Sequence, residues 1–113
     1  MADLYTSYET SIALRDAGAP QTALCEPWWY IDEDDDQYVS DVAGGRRVAR
    51  AWRADEINEE LGREVCALSH IERSNGSMWW SVETESYGAT GAPTFVEALA
   101  AAWLAVLKEE KRG

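Results

Sequence analysis

Five consecutive carboxylates, Asp32, Glu33, Asp34, Asp35 and Asp36, are the densest reactive chemistry in the chain. Acids at 32, 34 and 36 match the opening ligand positions of a calcium loop, where alternate carboxylates share one hard cation. Such a loop needs glycine at its sixth position and glutamate at its twelfth, and here those positions hold Gln37 and Ala43. The run therefore reads as a solvated hairpin tip or as an acidic patch facing a partner, with a weak metal site as a remote third reading. The one histidine, His70, has no second histidine to share a metal and no motif that sets a nucleophile beside it. It reads as structural or exposed. The chain holds no nucleophile elbow, P-loop, HExxH helix or dinucleotide fingerprint. The glycines of 88–91 are too few, and lack the lysine, to cradle a phosphate. These readings predict no enzyme, no cofactor and no resident metal.

Two further groups carry binding chemistry. Four arginines, at 46, 47, 50 and 53, could contact phosphates or pair internally with the acidic run, and bidentate carboxylate pairing is the favoured use. Six tryptophans in 113 residues include the adjacent pairs Trp28/Trp29 and Trp79/Trp80. Neighbouring side chains on a strand point to opposite faces. Either helices cover both faces of the sheet, or one aromatic row lies exposed as a protein-binding surface. Trp79 is expected to be at least partly exposed.

The net charge of −11 is uneven. Residues 1–41 hold ten acids against one base, and residues 42–113 hold eleven acids against nine bases. A field of that sign repels nucleic acid and membrane surfaces and attracts basic protein surfaces. With 46% apolar residues there is enough material for one core, and the length fits a single domain over 1–113. The start, MADLYTSYETS, lacks the basic and apolar regions of a signal peptide. The longest apolar run, 98–107, is too short for a bilayer. Cys25 and Cys66 read as reduced thiols, so the expected location is a cytoplasm.

The elements follow from local signals. Residues 7–17 read as a helix capped by Ser7 or Thr6 and ended by Gly18, with Tyr8, Ile12 and Ala13 on its buried stripe. Residues 28–31 and 37–42 read as a hairpin around the acidic turn. Residues 54–61 read as a short helix with Asp55 and Glu56 in its first turn and Gly62 as its stop. Residues 64–73 and 77–85 form a second hairpin, joined through Asn75-Gly76, with Met78, Trp80 and Val82 facing the core. Residues 87–92 read as a glycine-rich loop. A final helix runs to about Lys111, begun by a Thr94/Glu97 capping box and buried along Phe95, Leu99, Ala102, Trp103 and Val106. The predicted fold is α+β: an antiparallel sheet of about four strands from two hairpins, packed against helices in the order α-β-β-α-β-β-α.

The pattern Thr6-Ser7-Tyr8-Glu9-Thr10, then Leu14-Arg15-Asp16-Ala17-Gly18-Ala19-Pro20-Gln21, then Trp28-Trp29-Tyr30, resembles a class of small phage and prophage accessory proteins. The acidic helix 54–61 and the Ala/Leu-rich end, 92–107, are similar to theirs, whereas the Asp-rich tip and the arginine cluster are not part of that pattern. The resemblance implies an accessory phage product acting in the host cytoplasm, and it carries over no reaction and no site residues. With the charge distribution it gives the leading expectation: a non-enzymatic protein that docks on a host or phage protein with a basic surface. In its sharper form it is an anti-CRISPR or anti-restriction inhibitor whose carboxylates stand in for the phosphates of DNA. The expected contact residues are Asp32, Glu33, Asp34, Asp35 and Asp36, with Trp28, Trp29 and Trp79 as aromatic anchors. The alternative is a virion or assembly component that forms a homo-oligomer, at its smallest a homodimer, through an aromatic face.

Overall fold

Ser7 opens the first helix, α1 (Tyr8–Ala17), by accepting a hydrogen bond from the Thr10 amide, and Gly18 closes it in the left-handed region at φ 110°. This is the start and stop chemistry that Ser and Gly supply. The structure, a computed structural model, describes residues 5–21, 27–40, 45–85 and 87–112, with side chains to residue 110. The expectations for Cys25, for strand residues Asp41 and Val42 and for the Lys111 side chain lie outside the described residues.

The single four-stranded sheet expected from two hairpins is replaced by two three-stranded antiparallel sheets. In the first, β1 (Trp28–Ile31) lies between β2 (Gln37–Ser40) and β3 (Arg46–Arg50). In the second, β5 (Met78–Thr84) lies between β4 (Val65–Glu72) and β6 (Gly88–Ala92). The two additional strands are the arginine segment and the glycine-rich segment that read as a loop. Neither alternates in hydropathy, because the outer strand of each sheet is held by backbone pairing to its neighbour. Three helices complete the order α-β-β-β-α-β-β-β-α.

The β4–β5 connection follows its sequence signal with one difference. Only Gly76 takes a positive φ, 87°, while the Asn75 side chain accepts from the Ser77 amide. A three-residue loop ending in a left-handed glycine satisfies the strand twist without a second positive φ.

Helix α2 (Ala54–Leu61) and the long helix α3 (Phe95–Arg112) flank the core. Helix α3 packs against α1, α2, β5 and β6. The core gathers Leu14 of α1, Trp52, Ile57 and Leu61 of α2, Val82, and the α3 residues Val96, Leu99, Ala102 and Trp103. Trp52 and Trp103 meet edge to face with ring centroids 4.7 Å apart. On α1 the fully buried residues are Ser11 and Leu14, and Tyr8, Ile12 and Ala13 are half-buried. Ser11 can be buried because its hydroxyl lies 2.6 Å from that of Thr6, which also accepts from the Trp52 amide. On β5 the expected core row is graded: Val82 is buried, Trp80 half-buried, and Met78 46% exposed.

The Thr94/Glu97 capping box is half made. The Glu97 amide donates to Thr94 Oγ1 at 3.3 Å. The Glu97 carboxylate instead crosses to α1, where it accepts from Thr10 Oγ1 at 2.7 Å and from the Ser7 hydroxyl and amide. A charged acceptor at the first turn of α1 also suits that helix's dipole.

Candidate interaction surface

The acidic tip is an ordered turn. Asp32 Oδ1 accepts from the amides of Asp34 and Asp36, both at 2.9 Å, and Asp35 takes a positive φ of 62°. An aspartate bonded to its own backbone two residues on is the favoured chemistry for such a turn. Asp32 is half-buried, and Glu33, Asp34, Asp35 and Asp36 are exposed. Among the described residues none of these four carboxylates forms an ion pair. Nor do any three acids, cysteines or histidines among the described residues gather as a metal ion needs.

Two arginines of the cluster, Arg50 and Arg53, pair internally, though with other acids than those at the tip. The Arg50 guanidinium reaches Glu56 of α2 and lies 3.7 Å from the centroid of Trp52. Both partners are largely buried, at 11% and 14% exposure. Arg53 pairs with Asp55 at 3.3 Å and approaches Glu56. Arg47 lies over the Trp28 ring at 4.5 Å. A bulge at Val48, between the pairs Trp29↔Ala49 and Tyr30↔Arg47, marks the middle of β3, and the Val48 carbonyl accepts from Arg15. Arg50 and Arg53 lie toward the Trp28 end of β1, so acids two to six residues away in sequence reach them more easily than the turn that follows Ile31 at the other end.

The tryptophans are divided among separate environments. Trp28 is buried at 7% exposure, on the same face as Tyr30, which stacks on Tyr38 at 5.5 Å. Trp29 turns toward α1, where its indole donates to the Thr6 carbonyl at 3.0 Å and meets Tyr8 edge to face. Trp79 belongs to the other sheet, half-buried beneath the Arg73 guanidinium, which lies 4.6 Å from its centroid. A Cβ on Gly91 of β6 would collide with this indole. The absent side chain that made 88–92 read as a loop is what lets Trp79 lie across the strand. The three indoles proposed as anchors therefore do not form one row with the acidic tip.

His70 stacks flat on Trp80, centroids 4.2 Å apart and planes within 6°. A groove of about 570 Å³ runs between α2 and β4, lined by Ala54, Asn58, Leu68, Phe95 and Val96 among others. His70 is not in its lining. Elsewhere, the Tyr87 hydroxyl is pushed above its ordinary value by partial desolvation, then by the carboxylates of Glu64, Glu109 and Glu110. Local excess of negative charge is thus felt outside the tip as well.

Sequence reasoning located the acidic tip and overlooked the Glu97 contact to α1 and the Arg50–Glu56–Trp52 cluster. The only signal for the first was the spare hydrogen-bonding capacity of Ser7 and Thr10 at a helix start. Among the described residues, no helix is long and apolar enough to cross a membrane. Compared with known proteins, the chain matches no family model, no curated protein and no solved structure.

Proposed function

We propose that the protein is a non-enzymatic accessory product of phage or prophage type that binds a host protein through the β1–β2 tip. The observation that carries this reading is the set of four exposed carboxylates, Glu33, Asp34, Asp35 and Asp36, on a turn fixed by Asp32. They have no ion-pair partner among the described residues. A surface of that kind presents its charge to a basic partner with little ordering cost at the moment of binding. The partner class it fits is a protein with a basic nucleic-acid channel, such as a restriction or CRISPR effector, in which carboxylates take the place of phosphates. Trp28 and Trp29 are engaged in packing, so the charge carries the contact.

The test is competition with DNA for such an effector. Binding should weaken steeply as salt rises, because the attraction is between opposite charges at an exposed surface. Asp34→Asn/Asp35→Asn/Asp36→Asn, which keeps the Asp32 turn, should cost about ten-fold or more in affinity. Affinity indifferent to salt and to the triple substitution overturns the reading.

A further inference from the structure

We infer that the outer edge of β4 pairs with β4 of a second copy, joining the two second sheets into one continuous six-stranded sheet about a two-fold axis. Strand β4 is among the longest in the molecule, and every residue from Cys66 to Glu72 is exposed. Among the described residues only β5 pairs with it, and no other described strand lies on its second backbone edge. Beyond a bulge at Cys66, residues 67–72 run regularly, with no proline and no lysine to blunt the edge. Natural sheets seldom leave such an edge open. Among the described residues the three exposed large hydrophobic side chains, Leu68, Ile71 and Met78, all lie on this hairpin, at 46–47% exposure.

Charge and pattern select a second copy as the occupant. Residues 63–73 balance Arg63 and Arg73 against Glu64 and Glu72, a neutral stretch in a chain of net −11, so a basic partner is not drawn there. An antiparallel two-fold pairing centred on Ser69 is self-complementary. It sets Leu68 opposite His70 of the second copy and Ala67 opposite Ile71 of the second copy, each twice. Because Leu68 already faces Val82 and His70 faces Trp80, each such row runs unbroken across four strands. Cross-strand apolar and aromatic pairs of this kind are what stabilise a sheet. The registers two residues either side lose this match: one sets Leu68 against Glu72, and the other sets Glu64 against Glu72. This inference is independent of the acidic tip, which lies on the other sheet.

The experiment uses the full chain. Light scattering after size exclusion should give twice the 12.6 kDa of one chain, and added salt should favour the dimer by screening two acidic copies. Leu68→Lys/Ile71→Lys should be monomeric with an unchanged circular dichroism spectrum, since both side chains are half exposed. In a Cys25→Ser/Cys66→Ser background, Ser69→Cys should cross-link to its own copy under mild oxidation. Paired residues across such strands sit about 5 Å apart, within disulfide reach. Ile71→Cys, ~13 Å from its own copy in this register, should cross-link at least about ten-fold more slowly. A single-chain mass up to millimolar concentration, or equal cross-linking at 69 and 71, overturns the inference.

Discussion

The two three-stranded sheets share a size and an antiparallel plan, and they leave opposite kinds of surface uncovered. The first sheet covers its aromatic faces, Trp28 under Arg47 and Trp29 against α1, and projects charge at its turn. The second carries a short uncharged turn and exposes a neutral strand edge with apolar side chains. Charge on a fixed turn suits a partner of opposite sign and loses strength in salt. A bare edge suits backbone pairing and gains from salt when both copies are acidic. One chain thus separates an electrostatic surface from a hydrogen-bonding one by assigning each to its own sheet.

That contrast holds only while the central helix keeps both sheets in place, and Trp103 is the sharpest way to break it. Trp103→Ala removes a buried ring that packs on Trp52, just after β3, from the helix that also carries β5 and β6. The expected loss is about 4 kcal/mol, read by chemical denaturation. Fluorescence and circular dichroism should report one transition. Two resolved transitions would mean that the sheets unfold separately and that their coupling through α3 is weak.

A smaller effect is expected within the second sheet. Gly91→Ala forces the Trp79 indole off β6 and should cost about 2 kcal/mol, the scale of an overpacked contact. The emission of Trp79 should shift to the red as it enters water. An unchanged spectrum would show that the indole does not rest on this strand.

Within the first sheet, Asp32→Ala should cost about 1 kcal/mol, because the acceptor of two backbone amides is lost at an exposed turn. The amides of Asp34 and Asp36 should then exchange with solvent faster, while exchange in β5 stays the same. The neutralising triple at 34, 35 and 36 should leave stability within about 0.5 kcal/mol, so the two variants separate the turn's order from its charge.

The smallest effect concerns charge away from the tip. Tyr87 holds its proton more tightly when folded than unfolded, through partial desolvation first and then the carboxylates of Glu64, Glu109 and Glu110. Its contribution to stability is therefore present below the ordinary tyrosine value and is lost as pH rises through the raised one. Glu64→Gln should move the phenolate absorbance titration of Tyr87 part of the way back, with desolvation and the Glu109 and Glu110 carboxylates retaining the remainder.

The helices and the second hairpin were readable because their signals are local. Ser7 and Gly18 bracket α1, Gly62 stops α2, and Asn75-Gly76 turns β4 into β5, each through bonds to residues a few positions away. The third strand of each sheet was not readable. Arg46–Arg50 lacks an alternating pattern and pairs with β1, beyond β2 in sequence, while Gly88–Ala92 has only small residues and is a strand because it folds straight back along β5. The acidic tip was placed correctly at a hairpin turn, but the internal pairing of the arginines with it was not found. Arg50 and Arg53 have Glu56 and Asp55 close by in sequence.

By itself the sequence determined where the charge lies, where the three helices begin and stop, and that the fold mixes α and β. Capping, turn geometry and composition are fixed by neighbours along the chain. Tertiary contacts decided that the strands divide into two sheets, that Trp28 is buried while Trp79 rests on a glycine, and that Glu97 leaves its own helix to hold α1. They also decided which strand edge stays open. How the hairpins group into sheets, like the covering of an aromatic face, is decided between segments far apart in sequence, where packing outweighs local preference.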